Sequence, residues 1–130
     1  TVVSLDDKLY GKPKNKQESF EMIRSLSGKS HEVITGVSLI SLSKNIDYTF
    51  NQITYVTLTN ITDEEILSYI QDFSPLDKAG SYGIQDGFSV FIENINGCYF
   101  NVMGFPLSKF FHQYNMVFKS LWKKYQYTSF

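Results

Sequence analysis

The sequence is poor in the residues on which several function classes depend. Its 130 residues contain one cysteine, Cys98, and one arginine, Arg24. A single cysteine excludes a disulfide within the chain and a cysteine-based zinc site, and it favours a reducing, cytoplasmic compartment. A nucleic-acid surface is usually rich in arginine, so we expect no nucleic-acid partner. No apolar run approaches the ~20 residues of a membrane-spanning helix, so we expect no membrane partner.

The overall composition is that of an ordinary globular chain. Hydrophobic residues make up 42% and charged residues 19%, and the net charge is −1. The balanced charge argues neither for nor against an anionic ligand. The length suits one domain, residues 1–130, with its own core. The sequence enters directly into a strand without a methionine, so we expect that a further segment precedes Thr1 in the natural protein.

Hydrophobic periodicity predicts a mixed α/β (α+β) fold with a mixed, largely antiparallel sheet flanked by helices. Helices are predicted to begin near Asn15, Thr62 and Pro106, where capping residues or a first-turn proline precede an apolar stripe. The last helix is predicted to run to about residue 124. Residues 31–42 and 48–58 are predicted to pair as a hairpin, and Asn96-Gly97 predicts a second one. Strands are predicted at residues 2–5, 9–10, 31–42, 48–58, 88–95 and 98–102.

Two loops place a lysine among glycines, where the backbone can approach a ligand closely. They are residues 11–13, with Lys12, and residues 77–85, with Lys78 and Gln85. An ammonium group is a compact charge that suits a phosphate oxygen, and a carboxamide can both donate to and accept from the edge of a base. The two lysines are therefore candidates to hold a triphosphate between them. A Gly-Lys-Pro tripeptide is also a common turn, so the plain alternative stays open.

Four segments, in order along most of the chain, stand out as motifs: residues 1–13 (TVV…GKP), 26–36 (LSGKSHEVITG), 75–85 (PLDKAGSYGIQ) and 101–107 (NVMGFPL). All four resemble the motifs of one family, and the third matches that family's pattern almost residue for residue. On these segments the chain resembles the Maf-like family of nucleoside triphosphate pyrophosphatases, in the branch that acts on dTTP and UTP.

The resemblance implies a fold, an activity and site residues. The fold would be the elongated Maf-like sheet, and the enzyme would use Mg²⁺ or Mn²⁺ to cleave a nucleoside triphosphate into the monophosphate and pyrophosphate. Lys12 and Lys78 would hold phosphate oxygens, with Asp77 beside them. Thr1 and Gln85 fall at the positions that separate the dTTP/UTP branch from the branch acting on 7-methyl-GTP. Members of the family are often homodimers.

The sequence also departs from the family pattern. The family's general base is an Asp immediately before the position of Thr1, and this residue is not among the 130. A Ser-x-Ser-Pro-Arg-Arg loop and an acidic metal-binding residue are not present either, so no metal ligand is assigned here. We therefore expect the carboxyl-terminal portion of the family domain, without its first strand and helix, and inactive on its own. Asp86 stands where the family commonly has glycine.

Two alternatives to an enzyme stay open. The chain could be a catalytically incomplete remnant that binds nucleotides, or an interaction module that dimerises through the aromatic residues between Phe110 and Trp122. Those aromatic residues occur at helical spacing, which favours a core or dimer surface over a base-stacking platform.

Several tempting residues have simpler explanations. His31 has no second histidine or cysteine nearby in sequence and is expected to be a structural, hydrogen-bonded side chain. Cys98 is expected to be a buried small hydrophobe in a hairpin strand, and His112 a surface or interface residue. Asp6 and Asp7 are expected to form a solvated turn. Asp77 has the better claim to function, because it adjoins Lys78 and can orient it.

Overall fold

A five-stranded antiparallel sheet forms the centre of the structure, which is a computed structural model that describes residues 1–118. The strands are β1 (Val2–Leu5), β2 (Lys8–Tyr10), β3 (Ser30–Ser41), β4 (Ile46–Leu58) and β5 (Ile92–Asn96). Their order is β2-β1-β3-β4-β5, and every neighbouring pair is antiparallel. Hairpin β3–β4 is the longest pairing, as the alternating pattern predicts.

Helices flank this sheet. Within residues 1–118 they are α1 (Lys16–Leu26), α2 (Asp63–Phe73), α3 (Tyr99–Met103) and α4 (Leu107–Phe118), with short 3-10 helices at Ala79–Ser81 and Gly87–Phe91. The predicted mixed α/β class with a largely antiparallel sheet is confirmed. No helix in this part of the chain is both long and apolar enough to cross a bilayer. The predicted extension of the last helix to residue 124 lies outside the described residues.

Local sequence signals explain most element boundaries. The Asn15 side chain accepts a hydrogen bond from the Glu18 N–H (2.8 Å) and begins α1. Thr62 and Glu65 form a reciprocal capping box at the start of α2. Gly28, at φ 69°, ends the first helix, because glycine enters the left-handed region without a steric penalty.

The turn between β1 and β2 contains Asp6 and Asp7, at φ 49° and 65°. A two-residue hairpin loop with both residues in the left-handed region matches the right-handed twist of the flanking strands, and aspartate tolerates this region better than most residues. The two aspartates are therefore turn residues, as expected. Their hairpin pairs Val3 with Tyr10.

The core lies between one face of the sheet and helices α1 and α2. Phe88 from the second 3-10 helix is buried there, and its ring stacks on that of Tyr82 with centroids 4.6 Å apart. The apolar members of this core include Ile23, Leu26, Val56, Leu58, Ile66, Ile70 and Phe88. This arrangement carries the chain from the end of α2 across the core and back to the sheet at β5.

His31 is one of several polar side chains buried in the structure. It is 1% exposed, and its Nε2 shares a hydrogen bond of 2.7 Å with the Tyr82 hydroxyl. Its Nδ1 has no hydrogen-bond partner among the described atoms. Burial lowers the pKa of His31 from 6.5 to about 4, so the ring is neutral near pH 7. This agrees with the expectation of a structural, hydrogen-bonded histidine.

The structure corrects the predictions for residues 88–102. Residues 87–91 form a 3-10 helix instead of a strand, because the Asp86 side chain caps it by accepting the Phe88 N–H (2.9 Å). The predicted hairpin at Asn96-Gly97 is wrong. Its expected second strand is helix α3, which docks on the sheet where the Asn101 side chain donates to backbone carbonyls of β3 and β4.

Cys98 is also placed differently from the prediction. It is only partly buried and lies immediately before α3, not in a strand. The Thr54 hydroxyl accepts a hydrogen bond from the Cys98 N–H and lies 3.2 Å from its carbonyl oxygen, to which it donates. These two hydrogen bonds from one side chain hold the backbone where the chain leaves the sheet and enters α3.

Helix α4 lies against β4 without entering the core. None of its described residues is fully buried, so its aromatic face is not a core element. The Tyr48 hydroxyl donates to the Gln113 side chain, and the Lys109 ammonium donates to the Asn51 carbonyl (2.6 Å). His112 is exposed, as expected, and Trp122 lies outside the described residues. Dimerisation through this helix stays a prediction.

The low pKa of His31 makes fold stability depend on pH. Because the folded-state pKa lies below 6.5, the unfolded chain binds this proton more tightly, and stability falls as the pH drops from 6.5 towards 4. The expected loss from this one group is on the order of 3 kcal/mol. Urea unfolding across this range measures it. His31→Gln, which does not titrate, should show a shallower decline, and equal slopes for both proteins would refute this origin.

Candidate functional site

A cleft opens where the loop after α2, the loop after β2 and the end of α3 meet. Its volume is about 590 Å³, within the range of small-molecule sites. All five residues that the sequence singles out for a site line it, although they come from distant parts of the chain. They are Thr1, Lys12, Asp77, Lys78 and Gln85. The structure brings these candidates together in one place, which leaves their individual roles as predictions.

Gly80 ties the two lysine-bearing loops to each other. Its N–H donates to the Gly11 carbonyl oxygen at 3.1 Å. Its φ is 71°, and a Cβ at this position would lie 2.8 Å from the Val3 Cγ2 atom. Only glycine therefore allows the loop after α2 to lie this close to β1. That approach places Lys78 and Lys12 on the same cleft.

Lys78 reaches the cleft by lying across Gly83. A Cβ at Gly83 would come within 2.7 Å of the Lys78 Cε atom. The Lys78 ammonium lies 3.8 Å from an Asp77 carboxylate oxygen. Both side chains are substantially exposed, so this ion pair adds little to stability. Its geometry is nevertheless that of a carboxylate able to orient the lysine.

A buried hydroxyl holds the loop beneath Lys78. The Tyr69 hydroxyl on α2 donates to an Asp86 carboxylate oxygen (2.9 Å) and accepts the Gly83 N–H (3.0 Å). Burial raises the pKa of Tyr69, and the Asp86 carboxylate adds to the rise, so the hydroxyl stays protonated and keeps donating. Sequence reasoning missed Tyr69, which the helical pattern marks only as part of an apolar face.

Asp86 has a structural explanation at the position where the resemblance expects glycine. One of its carboxylate oxygens caps the 3-10 helix that begins at Gly87, and the other accepts from Tyr69. The Asp86 carboxylate is only partly exposed to solvent, and it accepts a hydrogen bond from each of these two donors. The departure adds contacts that fix the loop after Gln85.

Thr1 is held from beneath by Thr35, a buried residue of β3. Their hydroxyl oxygens are 2.8 Å apart, and the Thr1 hydroxyl lies 3.4 Å from the Gly104 carbonyl oxygen, to which it donates. Asn101 anchors the helix that presents Gly104, through its contacts with the sheet. Both Thr35 and Asn101 lie inside the quoted motifs, but nothing in the sequence distinguishes their side chains as supports of a site.

The described residues do not form a metal site on their own. Within residues 1–118, no group of three or more His, Cys, Asp or Glu side chains is arranged to hold a metal ion. Asp77 and Asp86 both line the cleft, but Asp86 is engaged by Tyr69 and by the Phe88 N–H. Besides these carboxylates, the polar groups that line the cleft include the two lysine ammonium groups, the Thr1 hydroxyl and the Gln85 carboxamide.

These groups suit a small ligand that carries both negative charge and a polar ring. Two lysines from separate loops can neutralise phosphate oxygens, while Thr1 and Gln85 offer uncharged donors and acceptors. Fold and cleft together define a mixed α/β protein with a cleft whose lining side chains would suit a small polyanionic ligand.

Comparison with known proteins gives the family. Residues 1–116 match the family described as Maf-like protein, and the chain belongs to that family. It is 44% identical over 113 residues to the dTTP/UTP pyrophosphatase of Carboxydothermus hydrogenoformans, a match covering 87% of this chain and 61% of the relative. It is 47% identical over 109 residues to the dTTP/UTP pyrophosphatase of Clostridium beijerinckii, covering 84% and 58%.

A third relative, the dTTP/UTP pyrophosphatase of Bacillus cereus, is 48% identical over 109 residues, covering 84% of this chain and 56% of the relative. The chain thus spans between 56% and 61% of the length of these curated relatives.

Removing the Tyr69 hydroxyl should loosen the loop beneath Lys78. In Tyr69→Phe the Gly83 N–H and one Asp86 oxygen lose their partner, which should cost about 1–3 kcal/mol of unfolding free energy. Amide hydrogen exchange should accelerate at Gly83 more than at core amides of β3. Tyr99→Phe, on an exposed ring, is the matched control and should change neither quantity. Unchanged exchange at Gly83 would contradict the role assigned to Tyr69.

Proposed function

We propose that the whole protein is a nucleoside triphosphate pyrophosphatase that hydrolyses dTTP and UTP to the monophosphate and pyrophosphate. The observation that carries this proposal is the convergence of Lys12, Lys78, Thr1 and Gln85 on one cleft. The names of relatives that are 44% to 48% identical support the same reaction.

The cleft residues would contribute mainly positioning and charge neutralisation. Cleavage between the α and β phosphates spreads negative charge over oxygens of the reacting phosphoryl group, and fixed ammonium groups stabilise that charge. Lys12 and Lys78 would take this part, with Asp77 orienting Lys78. Thr1 and Gln85 would contact the base and favour dTTP and UTP over 7-methyl-GTP.

The remaining parts of the mechanism are proposals that rest on the family resemblance. An Asp immediately before the position of Thr1 would be the general base that deprotonates the attacking water. A divalent ion, Mg²⁺ or Mn²⁺, would be required, although the described residues form no site for it. We also propose a cytoplasmic location, which the single cysteine favours. A homodimer stays a prediction.

Pyrophosphate release is the test of the proposed activity. The assay compares dTTP, UTP and 7-methyl-GTP, with Mg²⁺ or Mn²⁺, on this polypeptide and on a chain extended by the residues encoded upstream of Thr1. We expect turnover of dTTP and UTP by the extended chain alone. An extended chain that binds nucleotides but turns over none would refute the enzyme and support the alternative of a nucleotide-binding remnant, which the names of the relatives do not favour.

Neutralising either cleft lysine should weaken the reaction without unfolding the protein. Lys12→Gln and Lys78→Gln each remove one ammonium group from the phosphates, so kcat/KM should fall by about 10- to 100-fold. Lys12 is exposed and the Lys78 ammonium pairs only loosely with the exposed Asp77 among the described residues, so unfolding free energy should stay nearly constant. Lys29→Gln, at an exposed position after α1, is the control. Unchanged kcat/KM in both cleft variants would remove the central support of the proposal.

A variant of Gln85 tests recognition of the nucleotide base separately from binding of the phosphates. Gln85→Leu removes the carboxamide, so kcat/KM for dTTP and UTP should fall by about tenfold or more. Affinity for inorganic tripolyphosphate, which has no base, should be unchanged. Gln71→Leu, on the exposed face of α2, serves as the matched variant. A parallel loss of tripolyphosphate affinity would show that Gln85 supports the loop and does not read the base.

A further inference from the structure

Two serines far apart in sequence meet in the interior beside the lysine-bearing loops. Ser19 on α1 and Ser81 after the Lys78 turn are both 0% exposed, and their hydroxyl groups are hydrogen-bonded to each other. A buried hydroxyl without a partner is costly, so each serine satisfies the other. The pair, called here the serine latch, joins α1 to the loop that carries Lys78.

The serine latch links the turn after Lys78 to the helix that follows Lys12, so it connects the two cleft lysines through a short series of residues. Ser81 follows Lys78 by three residues, and its N–H donates to the Lys78 carbonyl oxygen at 3.0 Å. Ser19 lies on α1, which begins shortly after Lys12 and its buried neighbour Pro13. A backbone hydrogen bond from the Gly80 N–H to the Gly11 carbonyl oxygen (3.1 Å) ties the two loops directly. Together, the serine latch and this backbone hydrogen bond constrain the position of Lys78 relative to Lys12.

The backbone at Ser81 is held in an unfavourable conformation. Its φ is 66°, directly after Gly80 at φ 71°. A residue with a Cβ pays a steric penalty in this left-handed region, which persists only where surrounding contacts impose it. The buried hydrogen bond to Ser19 is one such contact, so the latch helps to hold the turn that aims Lys78 into the cleft.

We propose that Ser19 and Ser81 are positioning residues that fix the separation of the Lys12 and Lys78 ammonium groups, and thereby the affinity of the cleft for a linear chain of phosphates. This inference rests on the proposed function, because it takes the two lysines to be phosphate ligands. Neither serine lines the cleft, so the effect acts only through the loops.

The test measures tripolyphosphate affinity by calorimetry and stability by urea unfolding in the full-length protein. Ser19→Ala and Ser81→Ala should each weaken binding by about 3- to 10-fold, because the lysine pair loses its fixed geometry. Each should also lower stability, since one buried hydroxyl loses its partner. In the double variant no unpaired hydroxyl remains, so stability should partly recover while affinity stays low. A purely structural pair would leave the affinity of the folded protein unchanged in every variant.

Two further variants make every outcome informative. Ser81→Gly removes the hydroxyl and also relieves the backbone strain, so it should fold well and still bind tripolyphosphate weakly. Ser25→Ala on the same helix, whose exposed hydroxyl donates to the Glu21 carbonyl (2.9 Å), is the control and should change nothing in the cleft. Parent-like affinity in Ser81→Gly and in the double alanine variant would overturn the latch.

The double variant Lys12→Gln, Lys78→Gln separates the latch from the proposed function. We expect it to bind tripolyphosphate at least tenfold more weakly than the parent protein, because both ammonium contacts to the phosphates are removed. Weak binding here with parent-like binding in the serine variants would refute the latch alone. Parent-like binding here would refute the phosphate site, and the latch with it.

Discussion

The close approach of Gly80 to β1 is the constraint on which the cleft depends. At this position a Cβ would collide with Val3, and the positive φ would be strained for any other residue. The same peptide donates its N–H to Gly11. One glycine thus brings a loop from the second half of the chain against a strand and a loop from its beginning. Without that approach Lys12 and Lys78 would not line the same cleft.

Polar side chains elsewhere in the structure hold irregular backbone segments in place through hydrogen bonds. The Tyr69 hydroxyl holds the peptide of Gly83, the Thr54 hydroxyl brackets Cys98, and Asn101 anchors α3 to carbonyls of the sheet. Loops that line a cleft cannot rely on strand pairing to satisfy their peptides, and a chain with one cysteine has no disulfide to restrain them. Side-chain hydrogen bonds from well-packed helices and strands restrain these loops instead.

The parts of the fold that sequence predicts are those decided by local chemistry. The Thr62 capping box, the turn at Asp6-Asp7 and the alternating residues of the long hairpin each depend on neighbours within a few residues. The residues of the cleft were also found, but through motif resemblance and loop glycines. Their convergence could not be derived from sequence, because it depends on contacts such as that of Gly80 with Val3.

The errors arise where distant contacts override a local signal. Asn96-Gly97 has the form of a hairpin turn, yet hydrogen bonds from Thr54 and Asn101 draw the following residues into a helix on the face of the sheet. Asp86 likewise converts the first residues of an apolar run into a 3-10 helix. Thr35 and Tyr69 were missed because a hydroxyl pointing to a loop looks, in sequence, like any residue on a buried face.

The side chains that line the cleft and the buried groups that support it have separate roles. This explains how the backbone of the cleft can be rigid while the lining side chains can vary. Its ligand-facing groups are long or exposed side chains with few partners, so the fold scarcely depends on their identity. The groups beneath them, at Gly80, Tyr69, Thr35 and the serine latch, are buried and hydrogen-bonded, so changing them alters both stability and geometry. If the two lysines bind phosphates as proposed, the affinity of the cleft for a phosphate chain depends on the distance between two flexible ammonium groups. The residues that fix the backbones of the lysines would then determine that distance more than the lysines themselves.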